Sequence, residues 1–241
     1  MGVFSAEVRK ARSFPAIPRT ILGGAIALLA VAVFVASQAA QFVERGRSDE
    51  LGGVTAADVI MIVLRYGQII PILLGAWVIS QDMPAGPRHS AFLATARRGT
   101  LFATKLVIVA IVALIAGIAC VVAALLPAAV SGDESTTTIV LAPFAWLIVY
   151  WVVIAVLTAA LVAATRSMTF TVVPILVWTI GLSDLLADQI PALSGALDRV
   201  FIHSYFEGAP APSPAAIGAA VVQGVAALAL GSAVYARRDV G

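Results

Sequence analysis

The sequence predicts an all-α, polytopic integral membrane protein with six transmembrane helices and with its N- and C-termini cytoplasmic. Three observations predict it. Of 241 residues, 61% are hydrophobic and only 12% charged, a balance that belongs to membrane proteins and not to a soluble domain of this size. The apolar residues gather into six runs, and a helix rising ~1.5 Å per residue needs about 20 residues to cross a hydrocarbon core of ~30 Å. The basic residues, finally, fall in alternate gaps between those runs, as the positive-inside rule requires.

The runs are Ile21–Gln41, Val59–Ile79, Leu106–Leu126, Ile139–Ala163, Thr169–Leu186 and Ala215–Tyr235, forming a single transmembrane domain over residues 1–241. Such segments stay apolar on every face, unlike the striped helices of a soluble bundle. The first begins too late and runs too long for the apolar part of a cleaved leader, so it reads as a retained span. The fifth is short and contains Pro174 and Gly181.

Charge sets the topology. Arg9, Lys10, Arg12 and Arg19 precede the first run; Arg88, Arg97, Arg98 and Lys105 lie between the second and third. Arg166 separates the fourth and fifth, and Arg237 and Arg238 follow the sixth. With six spans these eleven of the 15 basic residues share one side, which is therefore the cytoplasmic one. Arg45, Arg47 and Arg199 join most of the acidic residues opposite.

Before the first run, Val3–Phe14 mixes Glu7, Arg9, Lys10 and Arg12 with Val3, Phe4, Val8 and Phe14. Two readings fit: an interfacial helix lying along the membrane, or a plain basic tail. In the second run Arg65, Gln68, Ile72 and Gly75 recur at three- or four-residue spacing and share an inward stripe. An arginine at that depth needs a partner or an outlet to the surface, and Asp184 in the fifth run is the nearest embedded acid. Arg65 is then either structural or part of a translocation path. Pro71, Pro143 and Pro174 mark places where helices kink, and Gly23, Gly24, Gly75, Gly117, Gly181, Gly218 and Gly224 allow close approach.

The insert over residues 82–105 is the part of the chain with the most distinctive pattern. Proline and glycine in MPAGP end the second run, and RHSAFLATARRGTLFATK follows. As a helix it places Phe92, Ala96 and Gly99 on one face beside Leu93, with Arg88, Arg97 and Arg98 elsewhere. An apolar edge rimmed by cations suits docking of a protein partner, whereas an ordinary positive-inside loop needs only the charge.

Several chemistries are excluded within these residues. There is no GxxxxGK[ST] phosphate loop, no HExxH, no CxxC pair and no GxSxG. His89 and His203 fall on opposite predicted sides, so no metal site is expected, and Cys120 is a lone cysteine inside the third run. No aromatic-basic module for nucleic acid accompanies the arginines. No catalytic or cofactor-binding residue is assigned.

FSAEVRKARS before the first run, YGQIIPILLGAWVIS in the second, ARRGTLFATKLVIV entering the third and the terminal ARRDV together resemble the ABC-2 type permeases. These are small six-span membrane subunits of bacterial ABC transporters. Gln81, Asp82, Gly86, Thr95, Arg97, Arg98 and Lys105 match the family's pattern after the second span loosely, and MPAGP departs from its usual tyrosine-containing run. The resemblance implies a permease in the bacterial cytoplasmic membrane, paired with itself or a sister permease and surrounded by lipid. It implies two cytoplasmic ATPase subunits that carry ATP and magnesium and dock through Arg88, Phe92, Leu93, Arg97 and Arg98. It further implies an exporter. A non-transporting membrane assembly or sensory protein that recruits a cytoplasmic partner through the same insert is the alternative.

Overall fold

The computed structural model describes residues 3–44, 63–64, 66–81, 98–131, 141–179 and 214–236, and among them every regular element is helical. The helices are α1 (Val3–Ser13), α2 (Ala16–Glu44), α3 (Ile69–Ser80), α4 (Arg98–Ser131), α5 (Leu141–Thr165), α6 (Met168–Val177) and α7 (Pro214–Ala236). Among the described residues three segments are long and apolar enough to cross a membrane: Ala16–Gln38 of α2, Gly99–Pro127 of α4 and Phe144–Thr165 of α5. The fold is thus all-α and suited to a bilayer.

Helix ends follow local chemistry. Lys10 and Arg12 occupy the last turn of α1, where cations complement the helix dipole. The Ser13 hydroxyl donates to the Lys10 carbonyl at 2.9 Å, and Phe14 N–H reaches the Ala11 carbonyl at 3.3 Å. Pro15 then stops α1 and leads directly into α2, joined by hydrogen bonds from Ile17 N–H to Phe14 and from Arg19 N–H to Pro15. Between α5 and α6, Arg166 takes a left-handed conformation (φ 59°), the usual geometry just past a helix C-terminus. Ser167 caps α6 by accepting the Phe170 N–H at 3.3 Å, and the Thr165 and Thr171 hydroxyls lie 2.7 Å apart across the turn.

α5 is the centre of the bundle. It packs against α3, α4, α6 and α7, while α2 covers α3 and α4, and α1 rests on α4. Trp151, Ile154, Ala155, Ala159, Ala160, Val162 and Ala163 of α5 are all buried. The run of alanines lets neighbours come close. A Cβ added to Gly75 of α3 would fall on the Ala155 carbonyl, and one on Gly231 of α7 would lie 2.6 Å from the Phe102 ring. Gly24 and Gly117 are also at contacts, with Ile70 and Ile148, whereas nothing lies within 4 Å of a Cβ on Gly23, Gly218 or Gly224.

The outer surface is apolar too. Leu22, Ile26 and Phe34 of α2, Val107, Ile111, Ile118 and Val122 of α4, and Val221, Val222 and Val225 of α7 are exposed. A water-soluble protein does not display so continuous an apolar exterior; hydrocarbon tolerates it.

Several sequence-based boundaries change. The helix expected over 106–126 begins at Arg98, so residues 98–105 of the insert are the first turns of α4 and not part of a separate docking helix. The apolar spacing continues across Lys105 without a breaker, which is why the helix does not stop there. The second run is interrupted near its middle and only its latter part forms α3. Pro143 falls in the first turn of α5, where a missing N–H breaks no hydrogen bond. Residues 59–62, 65, 139–140 and 180–186 of the expected spans lie outside the described residues.

Candidate functional site

The interruption of the second run starts from one missing proton. Pro71 has no N–H to offer the Gly67 carbonyl, its partner in a continuous helix. Ile70 N–H fills that role at 3.0 Å, tightening the chain into a turn at Gly67 and Gln68 before α3 begins. Gly67 itself donates to the Val63 carbonyl at 3.1 Å, so the helical path resumes on the other side. The turn is wedged between neighbours: a Cβ on Gly67 would lie 2.9 Å from Leu28 Cδ1 and 3.1 Å from Trp151 Cζ2. A side chain at 67 would require Leu28 and Trp151 to shift.

Gln68 is placed by this turn at the N-cap of α3 and is 1% exposed. Its amide oxygen accepts the Tyr150 hydroxyl of α5 at 2.7 Å, and its amide nitrogen donates to the Thr179 carbonyl at 2.9 Å. Thr179 lies where α6 loosens into a π turn over residues 178–179, shortly after Pro174. Its own hydroxyl donates back to the Ile175 carbonyl at 2.8 Å. One glutamine therefore ties the broken second run and the end of α6 to the central helix. An amide suits the task because it donates and accepts without carrying charge through an apolar interior. The buried Trp151 indole N–H, on the residue after Tyr150, has no hydrogen-bond partner. Irregular backbone inside membrane bundles is found where protein or a cavity satisfies it, and such breaks are where transporters commonly place polar contacts.

A second polar contact lies at the other extreme of the bundle. Lys105 near the start of α4 is 2% exposed, and its Nζ lies 2.8 Å from Glu7 Oε2 of α1. The pair fixes the first helix against the base of the fourth. Phe102, one turn earlier on α4, packs on Gly231 of α7, so the end of α7 meets the same base.

Of the residues singled out from sequence, Gln68 is buried in the tie just described and Arg98 is the first residue of α4. Arg65, Arg88, Phe92, Leu93, Arg97 and Asp184 lie outside the described residues, as do His89 and His203. Sequence reasoning missed Tyr150, Thr179, Glu7 and Lys105 as contact partners. A signal existed: Gln68, Tyr150 and Thr179 are among the few hydrogen-bonding side chains within otherwise apolar runs. Their pairing was hidden because it spans 82 and 111 residues of sequence. Among the described residues no group of three His, Cys, Asp or Glu side chains is placed to hold a metal, and Cys120 is a buried free thiol. The Gln68 tie positions three helices against one another.

Comparison with protein-family models, with curated proteins and with solved structures finds no match to this chain.

Proposed function

We propose that the chain is the permease subunit of an ATP-driven ABC transporter of the ABC-2 type, acting as an exporter with hydrolysis on a separate cytoplasmic ATPase. The observation that supports the reading is where the insert's flanks lie: α3 ends at Ser80, and the residues from Arg98 onward are the opening turns of α4, at the bundle end where Glu7, Lys105 and the end of α7 meet. A force applied there reaches α3 on one side and α4 on the other, and α3 carries the Gln68 tie into the interior. Broken helices joined by neutral hydrogen bonds can rearrange without exposing charge to lipid, as a transport path requires.

In this reading six helices cross the bacterial cytoplasmic membrane, with the insert, the first residues and the last on the cytoplasmic side. Two permease chains, identical or sister, combine with two ATPase subunits, which bind ATP and magnesium. Single cysteines replacing Ser5, Ser90 and Ser213 in a Cys120→Ala background test the topology. An impermeant thiol reagent applied to intact cells is expected to label position 213 alone; labelling at 5 or 90 without 213 overturns the orientation. The function itself is tested by purifying the wild-type chain from its native membrane in mild detergent. An ATPase with a phosphate loop is the expected companion. Its absence favours a non-transporting assembly.

A further inference from the structure

The Glu7–Lys105 contact has a consequence for the rest of α1. Glu7 is the one acidic residue of that helix, and the ion pair turns it inward against α4, together with the buried Ala11. At 100° per residue, Phe4 and Val8 then form an apolar edge next to the α4 contact, and Arg12 and Arg9 follow around the outward face. Phe4 is 49% and Val8 38% exposed, and Arg12 and Arg19 are exposed as well. Only Phe14 and Pro15 separate α1 from α2, whose Ala16–Gln38 segment is long and apolar enough to span a bilayer. That short connection keeps α1 at the membrane surface wherever α2 inserts.

We infer that α1 binds the surface of an anionic bilayer, Phe4 and Val8 entering the acyl boundary while Arg12 and Arg19 meet lipid phosphates, with Glu7–Lys105 setting the rotation of the helix. The charge and the apolar edge select this occupant over another protein. A membrane-surface helix needs both features on adjacent arcs, and α1 has them in that order. Withdrawal of Glu7 removes the group that anionic headgroups would repel. The inference is independent of any ATPase, because it concerns only how the first helix meets lipid.

The test places a nitroxide on Val8→Cys or, on the opposite arc, Ala6→Cys, each in the full-length Cys120→Ala chain. The labelled proteins are reconstituted in nanodiscs of phosphatidylcholine with or without phosphatidylglycerol. In anionic discs, oxygen should relax the probe at position 8 more than a water-soluble nickel chelate does, with a ratio several-fold above that at position 6. The ratio of docked to undocked helix should fall in discs of phosphatidylcholine alone. It should also fall in anionic discs for Arg12→Glu with Arg19→Glu, by roughly fivefold per cation lost from the surface. The lipid exchange needs no charge substitution, so it stands even if that variant folds poorly. Equal accessibility at positions 6 and 8 in anionic discs overturns the inference. Protection at position 8 that ignores phosphatidylglycerol overturns it too, because an apolar or protein contact would then hold the helix.

Discussion

Two polar contacts among the described residues connect helices in opposite ways. Deep among apolar side chains, Gln68 joins α3, α5 and the π turn after α6 through two hydrogen bonds between neutral groups. At the base, Glu7 and Lys105 join α1 to α4 through full charges. A neutral amide loses little when its surroundings are apolar, provided that each polar atom is paired. An ion pair needs help against its own desolvation, and the Glu7 side chain keeps 17% of its surface exposed. The difference teaches that charge is used where solvent is near and uncharged hydrogen bonding where it is not. The same division separates an anchor from an element able to shift.

The largest expected effect comes from breaking the charged contact. Lys105→Ala leaves Glu7 facing an apolar wall and should cost about 3 kcal/mol of folding stability, measured by thermal unfolding in detergent. Lys105→Met with Glu7→Gln should recover much of that loss, since no charge is then left alone. Full recovery by Lys105→Met alone, with Glu7 still charged, would show that Lys105 acts by packing alone.

Next comes the neutral contact. Gln68→Leu keeps the volume and removes both hydrogen bonds, with an expected cost of about 2 kcal/mol. Tyr150→Phe removes one of them and should cost about 1 kcal/mol. In a double-mutant cycle the two should be clearly less than additive, because they share a hydrogen bond. Simple additivity would separate Tyr150 from the tie.

How far these contacts were legible is uneven. The six apolar runs and their hydropathy were plain in the sequence, and Ala16–Gln38, Gly99–Pro127 and Phe144–Thr165 correspond to the first, third and fourth of them. Pro71 pointed to a kink, and the structure has the break one turn earlier because Pro71 deprives the Gly67 carbonyl. What composition did not reveal is which apolar helix stands in the middle. The α2 and α5 segments look alike in hydropathy, yet 11% of one and 56% of the other is buried. Alanine content does not distinguish them, because the α2 segment has as many alanines as the α5 segment; in α5 those at 155, 159, 160 and 163 are buried. The inward stripe read from sequence held both Arg65 and Gln68: Gln68 makes the interior contact, and Arg65 lies outside the described residues.

The smallest effect concerns salt. Because Lys105 is almost fully enclosed, raising ionic strength should change the stability of the wild-type chain by less than about 0.5 kcal/mol. A larger drop, absent from the Lys105→Met, Glu7→Gln protein, would place the pair in open solvent.

The measurement that bears most directly on function compares the wild-type chain with Phe92→Ala, Leu93→Ala for recovery of an ATPase and for ATP-driven transport after joint reconstitution. In the proposed reading these residues form the apolar edge of the insert, and buried apolar anchors tend to dominate an interface. The account predicts that the variant inserts and folds normally but recovers less ATPase and loses coupling. Unchanged recovery and unchanged coupling would contradict the assignment of the insert as the ATPase dock.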